Sequence, residues 1–301
     1  MIKSIRNLDD YGLIIKWRLT DCCNYKCSYC IRNTHDSISN VLNDEQVIID
    51  NVPEVSRIIK EKNMSTKIQL VGGEPSLLNL PRIILELFKG NEDLIKEINI
   101  TTNFSNSVEY YNRLFCLCNN LGLILSMTCS FHSEFVDLDK FIAKIRQLKT
   151  YESSVLKVEM VSLDSNKTLV DRFVSLCDKY NIIYTVDPNF RSDKIETLVS
   201  KSSDKKNDLF EVCTDTEMVY CKSVRELARR FGNGKKLDLK GYRCTLDNNF
   251  IKLYKDMHIG FVVGKSGCRN KQPISEFHIN EVPHYCNDGC SFCGSMNAYK
   301  E

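Results

Sequence analysis

The sequence predicts an α/β chain, a partial (βα)6 TIM-like barrel followed by a small cysteine-rich C-terminal domain. Three observations carry that expectation. Six short β-rich runs alternate with longer amphipathic stretches between residues 13 and 187, the order that builds parallel βα units. The alternation stops at Pro188, and the segment beyond it is polar, including "SKSSDKKND". Most of the 15 cysteines fall in two groups, four at 22 to 30 and five between 244 and 293.

Each element follows from a local pattern. "LIIKWRLT" (13–20) is rich in β-formers and reads as the first strand. A cysteine loop follows, then an amphipathic helix over 44–61. "TKIQLV" (66–71) is the second strand, closed by "GGEP", and "LPRIILELFKG" is a helix ending at Gly90. "IKEINITT" (95–102), a helix over 107–120 and "GLILSMTCS" (122–130) continue the series. A helix over 137–149, the strand "VLKVEMV" (155–161), a helix over 167–180 and "IIYTVD" (182–187) complete it. Six such units close only partly into a barrel. Residues 188–216 read as a linker or surface excursion. "SVRELARRF" (223–231) reads as one helix, with Arg225, Arg229 and Arg230 on a solvated face. After it, "GYRCTLDNNFIKLYKDMHIGFVVGKSGC" has strand, turn and strand texture. The expected units are therefore a barrel over 1–187, a linker and helix over 188–234, and a second domain over 235–301.

Composition narrows the function classes. With 43% hydrophobic and 27% charged residues and only 6 prolines, the chain has globular composition and enough apolar residues for a sizeable core. A net charge of +2 gives no global pull towards nucleic acid or an anionic membrane. "MIKSIRNLDDYG" has no apolar signal core, and no run approaches about 18 uninterrupted apolar residues. A cytoplasmic chain without a membrane role is the expectation. The odd cysteine count, without a signal peptide, argues against a secreted disulfide scaffold and for metal binding. Cys116, Cys118, Cys129 and Cys177 sit in apolar patterns and read as buried filler.

The first cysteine loop immediately follows the first strand. Cys23, Cys27 and Cys30 have C-x3-C-x2-C spacing, which lets three thiolates hold three irons of a 4Fe–4S cubane and leave the fourth open. Two other readings use the same residues. Counting from Cys22 gives the C-x4-C-x2-C opening of a plant-type ferredoxin site, and a zinc site would use paired knuckles of four ligands. "GGEP" (72–75) places two glycines beside the carboxylate of Glu74. Glycines let the backbone approach a ligand closely, and a carboxylate suits an ammonium partner. "GGEP" also reads as a plain tight turn, and Thr102 and Asn103 as caps of the next helix.

Together these residues resemble the radical S-adenosylmethionine enzymes over residues 13–187. The resemblance rests on Cys23, Cys27 and Cys30, on Tyr29 at the aromatic position before the third cysteine, on "GGEP" after strand two and on "TTN" (101–103) after strand three. It implies that Gly72, Gly73 and Glu74 face the methionine amino group and that Thr102 and Asn103 lie near the ribose. Ser130, His132 and Glu159, near the ends of strands four and five, are further candidates. His132 reads equally as a loop histidine and as a proton-transfer group. The implied reaction sends one electron from the reduced cluster into the sulfonium, and a 5′-deoxyadenosyl radical then takes hydrogen from a substrate. An external one-electron donor, such as flavodoxin or ferredoxin, is the implied partner.

The second group, Cys244, Cys268, Cys286, Cys290 and Cys293, is similar to the auxiliary-cluster extensions of that family, called Twitch or SPASM domains. Five cysteines suit one further 4Fe–4S cluster, of the shorter Twitch type, so two clusters are expected in all. Zinc held by four of these thiols, with His284 as a further ligand, is the alternative. Cys286 is the expected spare thiol and a candidate hydrogen donor. The resemblance implies an oxidoreductase that matures a ribosomally made peptide by epimerisation, crosslinking or oxidation. The alternative is a small-molecule substrate such as a nucleotide, sugar or aminocyclitol, and the distant one a non-enzymatic iron–sulfur or zinc module. The first strand at residue 13 leaves no room ahead of it for a peptide-recognition domain.

Overall fold

The computed structural model describes residues 2–7, 11–30, 36–189, 201–203, 210–221, 227, 230–231, 242–244, 249–264, 267–279, 284–285 and 298–299. No strand is expected before residue 13, yet β1 (Ile2–Asn7) forms there. The expected alternation follows it: β2 (Leu13–Thr20), α1 (Val41–Lys62), β3 (Thr66–Gly72), α2 (Leu80–Phe88), β4 (Ile95–Thr102), α3 (Val108–Asn120), β5 (Ile124–Phe131), α4 (Leu138–Ile145), β6 (Val155–Ser162), α5 (Lys167–Lys179) and β7 (Ile183–Pro188). β2 to β7 pair in chain order, each parallel to the next.

Local chemistry sets the helix ends. The Asn79, Ser107 and Asp137 side chains accept backbone N–H groups at the starts of α2, α3 and α4. Ser107, not Thr102 or Asn103, is therefore the cap of α3. α1 stops at Asn63 in the left-handed conformation, and Gly90 takes φ +77° just beyond α2.

Alternation of buried and half-buried positions runs through most of the parallel strands, with consecutive buried residues at Leu13–Ile15 and Leu125–Met127. Ile68, Leu70, Ile98, Ile100, Met127, Val158, Met160 and Val186 are buried with the apolar faces of α1 to α5 in one core. Cys118, Cys129 and Cys177 are fully buried there as expected, whereas Cys116 is exposed on α3. Positions of the opposite parity, among them Lys16, Arg18, Gln69, Asn99, Thr101, Thr128, Ser130, Lys157, Glu159, Thr185 and Asp187, are only half-buried. Helices thus cover one face and leave the other polar, as right-handed crossovers do when a parallel sheet curls into a partial barrel.

The region beyond Pro188 departs from the linker expectation. It holds β8 (Lys201–Ser202), β9 (Phe210–Thr214) and β10 (Met218–Cys221). β8 lies antiparallel on β7, while β9 pairs with both β1 and β10. Ile5, Phe210 and Val212 are buried; the alternation in "FEVCT" is the signal that a polar-segment reading passes over. The expected helix over 223–231 lies mainly outside the described residues.

The C-terminal strands are β11 (Arg243–Cys244), β12 (Phe250–Leu253), β13 (His258–Gly264), β14 (Gly267–Pro273), β15 (His284–Tyr285) and β16 (Ala298–Tyr299). β12 pairs parallel to β2, and β13 and β14 extend the same ten-stranded sheet. Part of the 235–301 segment is thereby continuous with the barrel sheet. β11, β15 and β16 join β1, β9 and β10 in a second, six-stranded sheet. The Arg57 guanidinium on α1 donates to the carbonyls of Ile274 and Phe277, at 3.0 and 2.7 Å, and ties the tail of the hairpin to the helical layer. No described helix is long and apolar enough to cross a membrane.

Candidate functional site

Three successive strand ends deliver the predicted residues to one place. After β2, the Cys22 amide donates to Thr20 Oγ1 at 3.0 Å, and the Cys22 thiol, fully buried, donates to the Ser37 carbonyl. Cys22 is thus engaged on the side of the loop towards α1. Cys23, Cys27 and Cys30 are half-buried, and the Cys30 amide closes a turn onto the Cys27 carbonyl at 3.1 Å. Burial pushes the Cys23 thiol up, and the Glu74 carboxylate and Cys30 add to the rise. Burial pushes Cys27 up to about 12 against a Tyr29 hydrogen bond that favours the thiolate, while Cys23 and Cys30 again oppose ionisation. Thiols that disfavour one another's ionisation are relieved together by a cationic centre, so this donor set fits a bound iron–sulfur cluster. Among the described residues no three His, Cys, Asp or Glu side chains gather at the distances of a single ion.

The glycines of "GGEP" approach the chain's own backbone. A Cβ at Gly72 would stand 2.7 Å from the Thr20 carbonyl oxygen, and one at Gly73 would run into the Cys22 carbonyl. That closeness lets the Gly73 amide donate to Thr20 O at 2.7 Å and the Glu74 amide to Cys22 O at 2.8 Å. Glu74 is fully buried. Its Oε1 accepts from the Ser76 amide (2.9 Å) and the Thr102 hydroxyl (2.6 Å), and its Oε2 from the Asn103 amide (2.5 Å). Burial raises the Glu74 pKa, and these donors pull against the rise. Through these bonds the carboxylate braces the ends of β3 and β4. Asn103 extends the brace: its Nδ2 donates to Asn24 Oδ1 at 2.7 Å and lies 3.9 Å from Cys23 Sγ. Phe104 follows at φ +57°, its carbonyl held by the Lys144 ammonium at 2.6 Å.

Ser130 lies on the polar face of the sheet, in register with Glu159, and among the described residues is not drawn into this network. The residues just beyond it are, and only their place after a strand hinted at them. His132 Nδ1 stands 3.2 Å from Cys27 Sγ and 2.9 Å from the Tyr29 hydroxyl. Burial lowers the His132 pKa to about 4. Glu134 accepts from the Ser28 amide at 2.8 Å and from the Ser28 hydroxyl. Phe135 stacks on Tyr25 with ring centroids 4.6 Å apart. The other end of the loop is fastened by Lys255, between β12 and β13, which pairs with Asp36 and, at 3.8 Å, with Asp21.

Residues 17–115, spanning β2 to α3, match the Radical SAM superfamily. The chain contains a radical SAM domain. This domain belongs to a superfamily of enzymes, and it implies a 4Fe–4S cluster and S-adenosylmethionine. An S-adenosylmethionine-dependent nucleotide dehydratase of Fibrobacter sp. (strain UWH6) is 25% identical over 186 residues, 57% of this chain and 55% of the relative. A GTP 3′,8-cyclase of Clostridium perfringens is 34% identical over 102 residues, 32% of this chain and 29% of the relative. The chain thus spans about half of the first relative and under a third of the second. Among solved structures, Streptococcus suis SuiB bound to precursor peptide SuiA is 14% identical, covering 89% of this chain and 63% of that one at a TM-score of 0.48.

Of the second cysteine group, Cys244 lies on β11 and Cys268 on β14, in different sheets. Cys286, Cys290 and Cys293 lie outside the described residues.

Proposed function

We propose that this chain cleaves S-adenosylmethionine reductively and uses the product to take hydrogen from a polar, anionic small molecule. When bound, the cluster and S-adenosylmethionine supply the one-electron cleavage of the sulfonium and the hydrogen abstraction that follows. The chain's own part is positional. Cys23, Cys27 and Cys30 hold the cluster, and Glu74 braces three strand-end loops. Gly72, Gly73, Thr102, Asn103 and Ser130 line the S-adenosylmethionine site. The observation that carries this reading is the joining of the Cys23, Glu74 and Asn103 loops after three consecutive parallel strands.

The polar sheet face supports the substrate class. It presents Lys16, Lys157, Lys252 and Arg18, the last paired with Asp21, against Glu159 and Asp187, with hydroxyls at Thr101, Thr128 and Ser130 between them. Cations and hydroxyls on a half-buried face suit phosphate or carboxylate groups. Electrons would come from flavodoxin or ferredoxin, in the cytoplasm, whose reducing conditions suit ligand thiolates. Four of Cys244, Cys268, Cys286, Cys290 and Cys293 would hold a second 4Fe–4S cluster in a Twitch-like arrangement, with Cys286 the spare thiol.

The test is anaerobic reconstitution followed by dithionite and S-adenosylmethionine. The wild type should hold about eight irons and release 5′-deoxyadenosine, whereas replacing Cys23, Cys27 and Cys30 by Ala should leave about four irons and no release. Absence of release from an iron-loaded wild type would sink the reaction. Faster release with nucleoside phosphates than with cysteine- or threonine-rich peptides supports the small-molecule reading, and the reverse order restores peptide maturation.

A further inference from the structure

We propose that His132 and Tyr29 are positioning residues, His132 directing a hydrogen bond to the Cys27 sulfur and Tyr29 holding the same ring nitrogen, and that the pair sets the reduction potential of the cluster on this loop. The inference rests on the reading of Cys23, Cys27 and Cys30 as cluster ligands. Three polar atoms meet at one point: His132 Nδ1 is 3.2 Å from Cys27 Sγ and 2.9 Å from the Tyr29 oxygen. A free Cys27 can donate its S–H to Nδ1. A metal-bound sulfur has no hydrogen left and only accepts. Loading the loop therefore selects the tautomer with the hydrogen on Nδ1, since the other tautomer turns a lone pair towards an anionic sulfur.

The surroundings hold that donor in place. The imidazole stacks near Tyr29, centroids 6.0 Å apart and 11° between planes, and meets Tyr25 edge-on at 5.7 Å. Tyr25 is in turn stacked on Phe135, and Glu134 holds the Ser28 amide. The segment 132–135 thus grips residues 25–29 from the far side of the sheet opening. Its grip places a ring N–H against one ligand sulfur at a half-buried position, where a hydrogen bond counts for more than in open water. Hydrogen bonds to ligand sulfurs withdraw charge and make the cluster easier to reduce. A cluster awaiting an electron from an external donor gains from that bias.

The test compares wild type, His132→Phe, His132→Asn and Tyr29→Phe after anaerobic reconstitution. Iron is counted first. The midpoint is then read by redox titration followed by electron paramagnetic resonance, on the signal that S-adenosylmethionine perturbs. His132→Phe keeps an aromatic ring and removes the N–H. It should keep its iron while the reduced-to-oxidised ratio at a fixed potential falls tenfold, a midpoint about 59 mV lower. His132→Asn, whose Nδ2 stands where Nδ1 stood, should recover most of that loss, and Tyr29→Phe should show a smaller fall. An unchanged midpoint in iron-loaded His132→Phe overturns the proposal. So does loss of iron from all three variants, which would make the pair an anchor only. A wild type that binds no iron defeats the site reading itself, a result distinct from either.

Discussion

Gly73→Ala isolates the contact that joins the cysteine loop to the second strand end. The added Cβ would collide with the Cys22 carbonyl oxygen and stand 2.5 Å from the Cys22 carbonyl carbon and 2.9 Å from that of Asp21. These are backbone atoms, so no side-chain rotation relieves the clash. Carbon atoms settle at about 3.5–4.0 Å, so the two loops must part by at least about 1 Å. The hydrogen bonds Gly73 N to Thr20 O (2.7 Å) and Glu74 N to Cys22 O (2.8 Å) then break or stretch. Each lost bond costs about 1 kcal/mol, and overpacking adds about 1–3 kcal/mol. The expected loss is about 3–5 kcal/mol, a fall of about 1–2.5 M in the urea midpoint for a slope of roughly 2–3 kcal/mol/M. Gly122→Ala is the control. Gly122 has φ +69° but nothing within 4 Å, so it carries only backbone strain of about 1–2 kcal/mol. Urea unfolding of the metal-free chains measures both, and iron uptake by Gly73→Ala should fall alongside. If Gly73→Ala is no less stable than Gly122→Ala, close backbone approach is not what the glycine is for.

Other consequences are as direct. Burial holds Cys118 and Cys177 protonated up to about 12, and Cys129 well above 9.0. The unfolded chain ionises these thiols first, so stability should fall as pH rises above 9, by about 1.4 kcal/mol per pH unit for each thiol. Cys118→Ala should flatten that slope by about 1.4 kcal/mol per pH unit, read from urea midpoints between pH 9 and 11. Ser107→Ala should cost about 1 kcal/mol through loss of the α3 cap and leave S-adenosylmethionine affinity unchanged; a change in affinity would show that the cap also shapes the site. Lys255→Met removes the lysine from Asp36 and leaves Asp21 to Arg18; with these groups 17–33% exposed it should cost under about 1 kcal/mol, detectable as slower iron uptake rather than as a lower melting temperature.

Where a pattern is local, the sequence anticipated the structure closely. The six barrel strands fall within a residue or two of their expected places because period-two alternation and the turn residues that punctuate it are encoded within each run. Pairings that join distant segments were not visible. β1, whose "IKSIRN" has no decisive pattern of its own, is a strand because β9 and β16 flank it. β9 and β10 lay hidden in a stretch whose average polarity suggested a linker. Nothing in "FIKL" says that it pairs parallel to β2 rather than only with its hairpin neighbour.

The same division runs through the site. Cys23, Cys27, Cys30, "GGEP" and "TTN" declare themselves through short spacings and through their position after strands, so the sequence by itself determined the identity of the domain and the residue types its chemistry needs. Only the tertiary structure decided what each group does with its neighbours. It turned the glycines towards the Cys22 backbone, gave the Glu74 carboxylate three internal donors, moved the helix cap to Ser107 and set His132 beside Cys27. Hydrogen-bond partners are fixed by distance and burial between segments that in this site lie as much as 219 residues apart, and a one-dimensional pattern carries no record of either.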